Sequence, residues 1–481
     1  MLKQRALSAT FWSAIEQIGA RGLSTIFMLI FARLLTAEDF GIFAAGTLAI
    51  GFASRLAVFG LNTVVVQRSE LDTRALSTAF WIALSASTLL ALALVAMAEP
   101  LAALFEEAAI APLIPALALG MVLSSATSLV TALLRRELNM KAIARRTLLA
   151  NALSGLIAMP FILNGYGAWG LVVQSVGGAA LTLILTVMLV GWPVKAVFDT
   201  GVAREMLRFG APVTGADLLT YYNRESPKLF VGLMLGVEAL GLFAMAMRVM
   251  NLLLQVLGVT LTKVTLPVMS QVNRATPDRM GEIYLRLVRL AGAVILPIFL
   301  LVIVFREPLV TALLGARWVE IIPVVALLCG AGLLTTFNYL NGSTIVSLGK
   351  PQARLWFSII RASVGTALFL LATPFGIVAS SAAFLLRGVI VEPIQLLYLL
   401  RKLGLSMRTY LSQTGRSALA TLAIVIIGTG STFVLQGLPP LVILIIGSSL
   451  SVLGYGAALY LFDKSLITEL RGITSSRRRA K

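Results

Sequence analysis

Between residues 217 and 228, Asp217, Tyr221, Arg224 and Lys228 recur at spacings of four, three and four, which on a helix puts them on one face. Two cations four apart repel each other on a bare helix. The stripe therefore makes sense only if an anion or an acidic neighbour faces it. Two hundred residues earlier the corresponding face carries Gln17, Arg21, Ser24 and Met28. Further along, Arg248, Asn251 and Gln255 are matched at the same offset by Leu48, Gly51 and Arg55. The chemistry on offer is anion binding, since the planar guanidinium donates paired hydrogen bonds to phosphate. Arg21, Arg55, Arg224, Lys228 and Arg248 are the candidate lining of a cationic cavity, with Arg361 and Arg387 as secondary members. The competing reading is internal salt bridging, for example of Arg224 or Lys228 with Asp217 or Glu225. The apolar stretches hold few acids, among them Glu16, Asp217, Glu225 and Glu392, too few for full pairing. Glu16, Asp217 and Glu225 are also the candidates for coupling to an ion gradient. Tyr221 and Tyr222 are available either to stack on sugar rings or to pack between helices.

These residues sit in a chain of 481 residues that is 58% hydrophobic and only 12% charged. A soluble domain carries about twice that share of charge, so a water-soluble core of this size could not solvate its surface. The reading is an all-α polytopic membrane protein. Segments of about 20 apolar residues, enough to span a hydrocarbon core, recur fourteen times. They lie near 11–35, 40–61, 76–98, 109–133, 147–164, 168–191, 209–233, 239–263, 286–305, 319–340, 355–373, 377–400, 417–435 and 441–462. Turn residues such as Gly165-Tyr166-Gly167, Gly191-Trp192-Pro193 and Gly349-Lys350-Pro351 separate them.

The 39 basic and 21 acidic residues give a net charge of +18. With the N-terminus inside, most basic residues fall in inner segments, including Arg135, Arg136, Lys141, Arg145 and Arg146. The outer segments hold only Arg306 and Arg317 among several acids. This asymmetry predicts both termini in the cytoplasm and accounts for most of the charge without nucleic acid. The first span carries Glu16 and Arg21 and no Ala-x-Ala site follows its apolar stretch, so it is not expected to be a cleaved signal peptide. The Arg477-Arg478-Arg479 tail reads as a topology-setting end, with attraction to anionic lipid as the alternative.

An internal repeat links the two cationic stripes. Leu35, Glu38, Gly41, Phe43 and Ala44 coincide without a gap with Leu235, Glu238, Gly241, Phe243 and Ala244. Each segment opens a block of six spans in the same orientation. Two parallel six-helix lobes are predicted, 1–200 and 201–405, with two peripheral helices and a basic tail in 406–481. Such repeats are a transporter architecture, with substrate held between lobes near mid-membrane.

Several other chemistries are excluded. One Cys (Cys329) and no His rule out a disulfide framework, a Cys/His zinc site and a Ser-His-Asp triad. Gly349-Lys350 is followed by Pro351 and lacks the upstream glycine of a phosphate-binding loop. No outer segment is long enough for the acceptor-binding domain of a membrane glycosyltransferase. No cofactor and no enzymatic activity are expected.

The strings Ala32-Arg33-Leu34-Leu35-Thr36-Ala37-Glu38-Asp39-Phe40-Gly41, Leu133-Leu134-Arg135-Arg136, Gly165-Tyr166-Gly167-Ala168-Trp169-Gly170 and Leu314-Gly315-Ala316-Arg317-Trp318 resemble, in order, the signature of polysaccharide flippases of the Wzx/polysaccharide-transporter type. That family is similar to the lipid II flippases and, more distantly, to the multidrug and toxin extrusion exporters. The resemblance implies a two-lobed fold and, as substrate, an oligosaccharide linked by pyrophosphate to undecaprenol, moved across the inner membrane for exopolysaccharide or lipopolysaccharide assembly. It implies as partners the lipid-linked oligosaccharide, membrane lipids, and a polysaccharide polymerase with chain-length proteins, and the chain is expected to be a monomer. An ion-coupled multidrug exporter is the alternative. Where the related motif often reads Arg-Asn-x-Asp-Asn, this chain has Arg224-Glu225-Ser226-Pro227-Lys228; Pro227 replaces the acid, whose role cannot be transferred.

Overall fold

The structure is a computed structural model that describes residues 2–68 and 72–463; the basic tail at 477–479 lies outside the described residues. Among these residues the regular structure is all helical, with no strand. In order the helices are α1 (Leu2–Leu34), α2 (Ala37–Val58), α3 (Leu61–Gln67), α4 (Thr73–Ala96), α5 (Ala98–Leu104), α6 (Leu113–Arg136), α7 (Met140–Leu163), α8 (Ala168–Val190) and α9 (Thr200–Ala275). There follow α10 (Met280–Val304), α11 (Arg306–Leu313), α12 (Ile322–Ser347), α13 (Pro351–Ala372), α14 (Ile377–Lys402), α15 (Met407–Ala420), α16 (Leu422–Val434) and α17 (Pro440–Phe462).

Among the described residues, twelve helices are long and apolar enough to cross a membrane, and a pair bent by 41°, Met407–Gly415 and Ala418–Val434, makes a thirteenth. With 76 residues, α9 would extend for about 110 Å at 1.5 Å per residue, several times a bilayer core of roughly 30 Å. It is broken at Gly236, where φ is 83°, a conformation that costs little only without a Cβ. The break divides α9 into the seventh and eighth expected spans.

The chain forms two compact units, Met1–Ala244 and Met245–Lys481. In the first, α7 packs on both α8 and α1, and α6 packs on α4 and α8. Close approach of α1 and α7 depends on small residues: a Cβ at Gly19 would lie 2.6 Å from a Leu148 methyl, and one at Gly155 would enter the Phe27 ring. A capping box starts α2. Thr36 Oγ1 accepts from the Asp39 amide (3.2 Å), and Asp39 Oδ2 accepts from the Thr36 amide (3.0 Å), which satisfies two donors that the helix start leaves open. The segment ahead of α9 is held by α4. The Lys195 amide donates to Ser77 Oγ (2.9 Å), the Asp199 amide to Thr78 Oγ1 (3.1 Å) and Trp81 Nε1 to the Lys195 carbonyl (3.0 Å). Asp199 in turn accepts from the Val202 and Gly201 amides, and these donors, with Arg74 beside them, keep its carboxyl below the usual range.

In the second unit α12 packs on α14 and α10, and α13 on α14. Trp318, Tyr284, Phe299, Phe305 and Phe369 are among its fully buried side chains. The C-terminal helices dock on α10: Tyr455 donates to the Ala293 carbonyl (2.8 Å), and Arg289 forms a two-point ion pair with the buried Asp463.

The internal repeat extends through these elements. The order long helix, short helix, 3-10 turn, long helix occurs as α4, α5, Ala108–Ile110, α6 and again as α10, α11, Ala316–Ile321, α12. Each series continues with a helix pair joined at a positive-φ glycine, Gly167 before α8 and Gly376 before α14. Gly41 and Gly241, equivalent at the offset of 200, touch each other. A Cβ on Gly41 would strike the Val237 carbonyl, and one on Gly241 would strike the Ala37 carbonyl and sit 2.8 Å from the Gly41 nitrogen.

Candidate functional site

The first unit gathers one cluster of charge around Tyr221. Gly51 leaves a notch in α2: a Cβ there would collide with the Tyr221 hydroxyl. Tyr221, only 8% exposed, fills the notch and donates to the Leu48 carbonyl (3.0 Å). One turn beyond the notch Arg55 donates from Nη1 to the Gly51 carbonyl (2.6 Å), and its guanidinium lies 3.9 Å from the centre of the Tyr221 ring. That is well within the distance at which a cation is attracted to an aromatic face. The Arg224 guanidinium is 5.8 Å from the same centre.

Glu225 binds both neighbouring cations. Arg224 Nε donates to Oε1 (2.7 Å) and Lys228 Nζ to Oε2 (2.8 Å). The Glu225 side chain is 13% exposed and that of Arg224 is 50% exposed. Both Nη groups of Arg224 lack a hydrogen-bond partner among the described residues, and Arg55 has no carboxylate partner there. Three cations thus share one carboxylate and one aromatic ring. Each charge would cost about 2.5 kcal/mol or more at the centre of a bilayer, which an anion bound to the spare donors would offset. The arrangement can hold a group with two negative charges and several acceptor oxygens.

The other candidates are placed as follows. Glu16 and Arg21 lie half-buried on α1, and Asp217 is exposed on α9 one turn before Tyr221. Asp217 forms no ion pair among the described residues; Glu225 alone takes the bridging role that the sequence left open to either. Met28, on the expected polar face of α1, is buried. Tyr222 is half-buried. Arg248 is half-buried on the part of α9 that belongs to the second unit. Arg361 and Arg387 belong to that unit too, in an enclosed polar cluster. Arg361 donates from Nε and Nη2 to Glu392 Oε1 (3.1 and 2.9 Å) and from Nη2 to Gln395 Oε1 (3.2 Å), while Asn338 also donates to Glu392. Arg387 is buried with its guanidinium 4.2 Å from the Phe384 ring centre and 5.7 Å from that of Phe369. These two arginines are thereby engaged by protein groups.

Sequence reasoning missed Arg146, assigned there to an inner loop. It is 4% exposed and donates to Thr186 Oγ1 and Thr131 Oγ1, both at 2.9 Å, close enough to Glu16 to interact electrostatically. It also missed Gly51 as the seat of Tyr221. The offset-200 alignment had put Gly51 on the relevant face without giving it a role.

Comparison with known proteins agrees with this architecture. Residues 30–323 match the family described as polysaccharide biosynthesis protein. Among curated relatives, the chain is 23% identical over 373 residues to the lipopolysaccharide biosynthesis protein WzxC of Escherichia coli (strain K12), covering 75% of this chain and 73% of the relative. It is 25% identical over 360 residues to the succinoglycan biosynthesis transport protein ExoT of Rhizobium meliloti (strain 1021), covering 74% and 72%. Among solved structures, the lipid II flippase MurJ in an inward closed conformation superposes with a TM-score of 0.72 at 13% identity, over 96% of this chain and 100% of that one. At that identity the superposition speaks for a shared all-helical fold. The family match spans well over half of the sequence and includes both the Thr36–Asp39 cap and the Tyr221 cluster, so this multi-pass membrane protein belongs to the polysaccharide biosynthesis protein family.

Proposed function

We propose that the protein is a flippase for exopolysaccharide or lipopolysaccharide assembly, moving an oligosaccharide linked through pyrophosphate to undecaprenol from the inner to the outer leaflet of the inner membrane. The observation that carries this reading is the Arg55, Tyr221, Arg224, Glu225, Lys228 cluster, with unsatisfied guanidinium donors inside a membrane-spanning region. A diphosphate dragged through hydrocarbon would meet a desolvation cost of many kcal/mol. Arginine and lysine facing it from the protein remove most of that cost, while the polyprenyl tail remains in lipid. Arg21 and Arg248 complete the proposed cationic lining. The similarity to ExoT, described as a transport protein, and to WzxC, described as a lipopolysaccharide biosynthesis protein, supports transport within glycan assembly.

The protein would work by alternating access of the repeat lobes 1–200 and 201–405, with 406–481 peripheral and both termini cytoplasmic. It would act as a monomer, without cofactor or catalysis, alongside a polymerase and chain-length proteins. Coupling to an ion gradient would run through Glu16, Asp217 or Glu225. Flux in vesicles under imposed proton or sodium gradients tests that step, and indifference to both removes it. An exporter of cationic drugs would need acids or bare aromatic faces where this cluster presents guanidinium groups, so the drug-export alternative is disfavoured.

The test is loss of function. Without the protein, lipid-linked repeat units accumulate on the cytoplasmic face. Arg224→Gln and Arg21→Gln each lower export by about 10- to 100-fold, the equivalent of one charge-assisted hydrogen bond of roughly 1.5–3 kcal/mol. Undiminished polymer export by both variants would overturn the reading.

A further inference from the structure

We infer that Glu225 is a built-in stand-in for the substrate's phosphate, a counter-anion that the incoming diphosphate must displace and that later helps to release it. This rests on the flippase reading above. It assigns Glu225 to affinity and release, and leaves Glu16 and Asp217 as the acids open to ion coupling.

The geometry is that of a competitor. The two carboxylate oxygens are divided between two cations, Oε1 accepting from Arg224 Nε and Oε2 from Lys228 Nζ. Arg224 and Lys228 are four residues apart on one helix face, where like charges repel. With Glu225 between them, α9 carries the stripe at a tolerable cost when no ligand is bound. The carboxylate is also nearly enclosed at 13% exposure, whereas the Arg224 side chain is half exposed. A diphosphate can therefore reach the two free Nη groups of Arg224 and the stacked guanidinium of Arg55 before it disturbs Glu225. Full engagement of Arg224 Nε requires Glu225 to give way, because its single N–H cannot serve a carboxylate and a phosphate at once, and Glu225 competes for Lys228 by charge although that ammonium keeps two further donors. Apparent affinity is then the intrinsic affinity multiplied by the fraction of sites whose cations are free. For a transporter this is useful: a site of bare guanidinium and ammonium groups would hold a diphosphate too long to turn over.

The experiment uses the full-length protein in nanodiscs of zwitterionic phosphatidylcholine, titrated with inorganic pyrophosphate by calorimetry. Flux of lipid-linked substrate is measured in parallel. The variants are Glu225→Gln, Glu225→Asp and Arg224→Gln, each checked for its unfolding temperature. The expected result is that Glu225→Gln binds pyrophosphate about tenfold more tightly than the unaltered protein yet moves substrate more slowly. Glu225→Asp, too short to reach both cations together, falls between them, and Arg224→Gln binds more weakly. If Arg224→Gln weakens binding but neither Glu225 variant strengthens it, the stand-in role is overturned and the anion site survives. If the unaltered protein and Glu225→Gln both fail to bind pyrophosphate at millimolar concentration, the flippase reading of this cluster falls, and the inference with it.

Discussion

At the scale of single residues, Tyr221 joins two helices and supports the charge of Arg55. Its hydroxyl is tied to the Leu48 carbonyl and its ring lies under Arg55, so the two contributions separate by mutation. Tyr221→Phe keeps the ring and loses one hydrogen bond of about 1 kcal/mol; flux should fall by roughly fivefold or less. Tyr221→Ala also removes a desolvated cation–π contact of about 2 kcal/mol, and flux should fall by about two orders of magnitude. Gly51→Ala, whose Cβ meets the Tyr221 hydroxyl, should resemble Tyr221→Ala rather than Tyr221→Phe. Transport assays on the three variants decide this, and a fully active Gly51→Ala would show that the ring's seat does not matter. The Arg361–Glu392 pair differs in kind. Its acceptors come from Glu392 and Gln395 on α14, so its charge is met within the protein.

At the scale of elements, the residues that carry the family resemblance are structural. Thr36 and Asp39 cap α2, Leu35 is buried, and Gly41 admits the backbone at Val237. Gly167, at φ 53°, lies so close to Asp39 that a Cβ would strike that carboxylate. The mutual contact of Gly41 and Gly241 joins two equivalent points of the repeat through backbone alone. Gly241→Ala should lower the unfolding temperature of the purified protein, with an overpacking cost of about 1–3 kcal/mol. Gly215→Ala, where an added Cβ has nothing within 4 Å, should be neutral or stabilising by up to about 1 kcal/mol through helix propensity. Equal melting of the two variants would show that the Gly41–Gly241 approach is loose.

At the scale of the whole molecule, the proposed orientation rests on the distribution of charge and can be checked with the chain's own chemistry. Its single cysteine, Cys329, is fully buried in α12, so it gives little background to a membrane-impermeant thiol reagent. Lys350→Cys should be labelled only from the cytoplasmic side and Arg317→Cys only from the outside. Labelling from the opposite faces would invert the topology, and with it the direction of transport proposed here.

Hydropathy, charge asymmetry and the offset-200 identities were enough to determine a multi-pass helical protein, the approximate limits of its spans and the cationic face of 217–228. These are local properties: a span must be apolar along its own length, and a helix face repeats every three or four residues whatever lies opposite. What faces a charge such as Arg55 or Arg146 is a matter of packing between helices remote in sequence, and only the tertiary structure decided it. Asp217 and Glu225 were equally plausible partners for Arg224 in the sequence, and the side-chain geometry within α9 gave the role to Glu225. Arg55 became a stacked charge only because Gly51 admits Tyr221, a residue 170 positions further along the chain. Arg146 looked like one more loop cation until Thr131 and Thr186 enclosed it. A charge in a membrane protein is defined by the groups that replace its water, and for Arg55 and Arg146 decisive ones come from other helices.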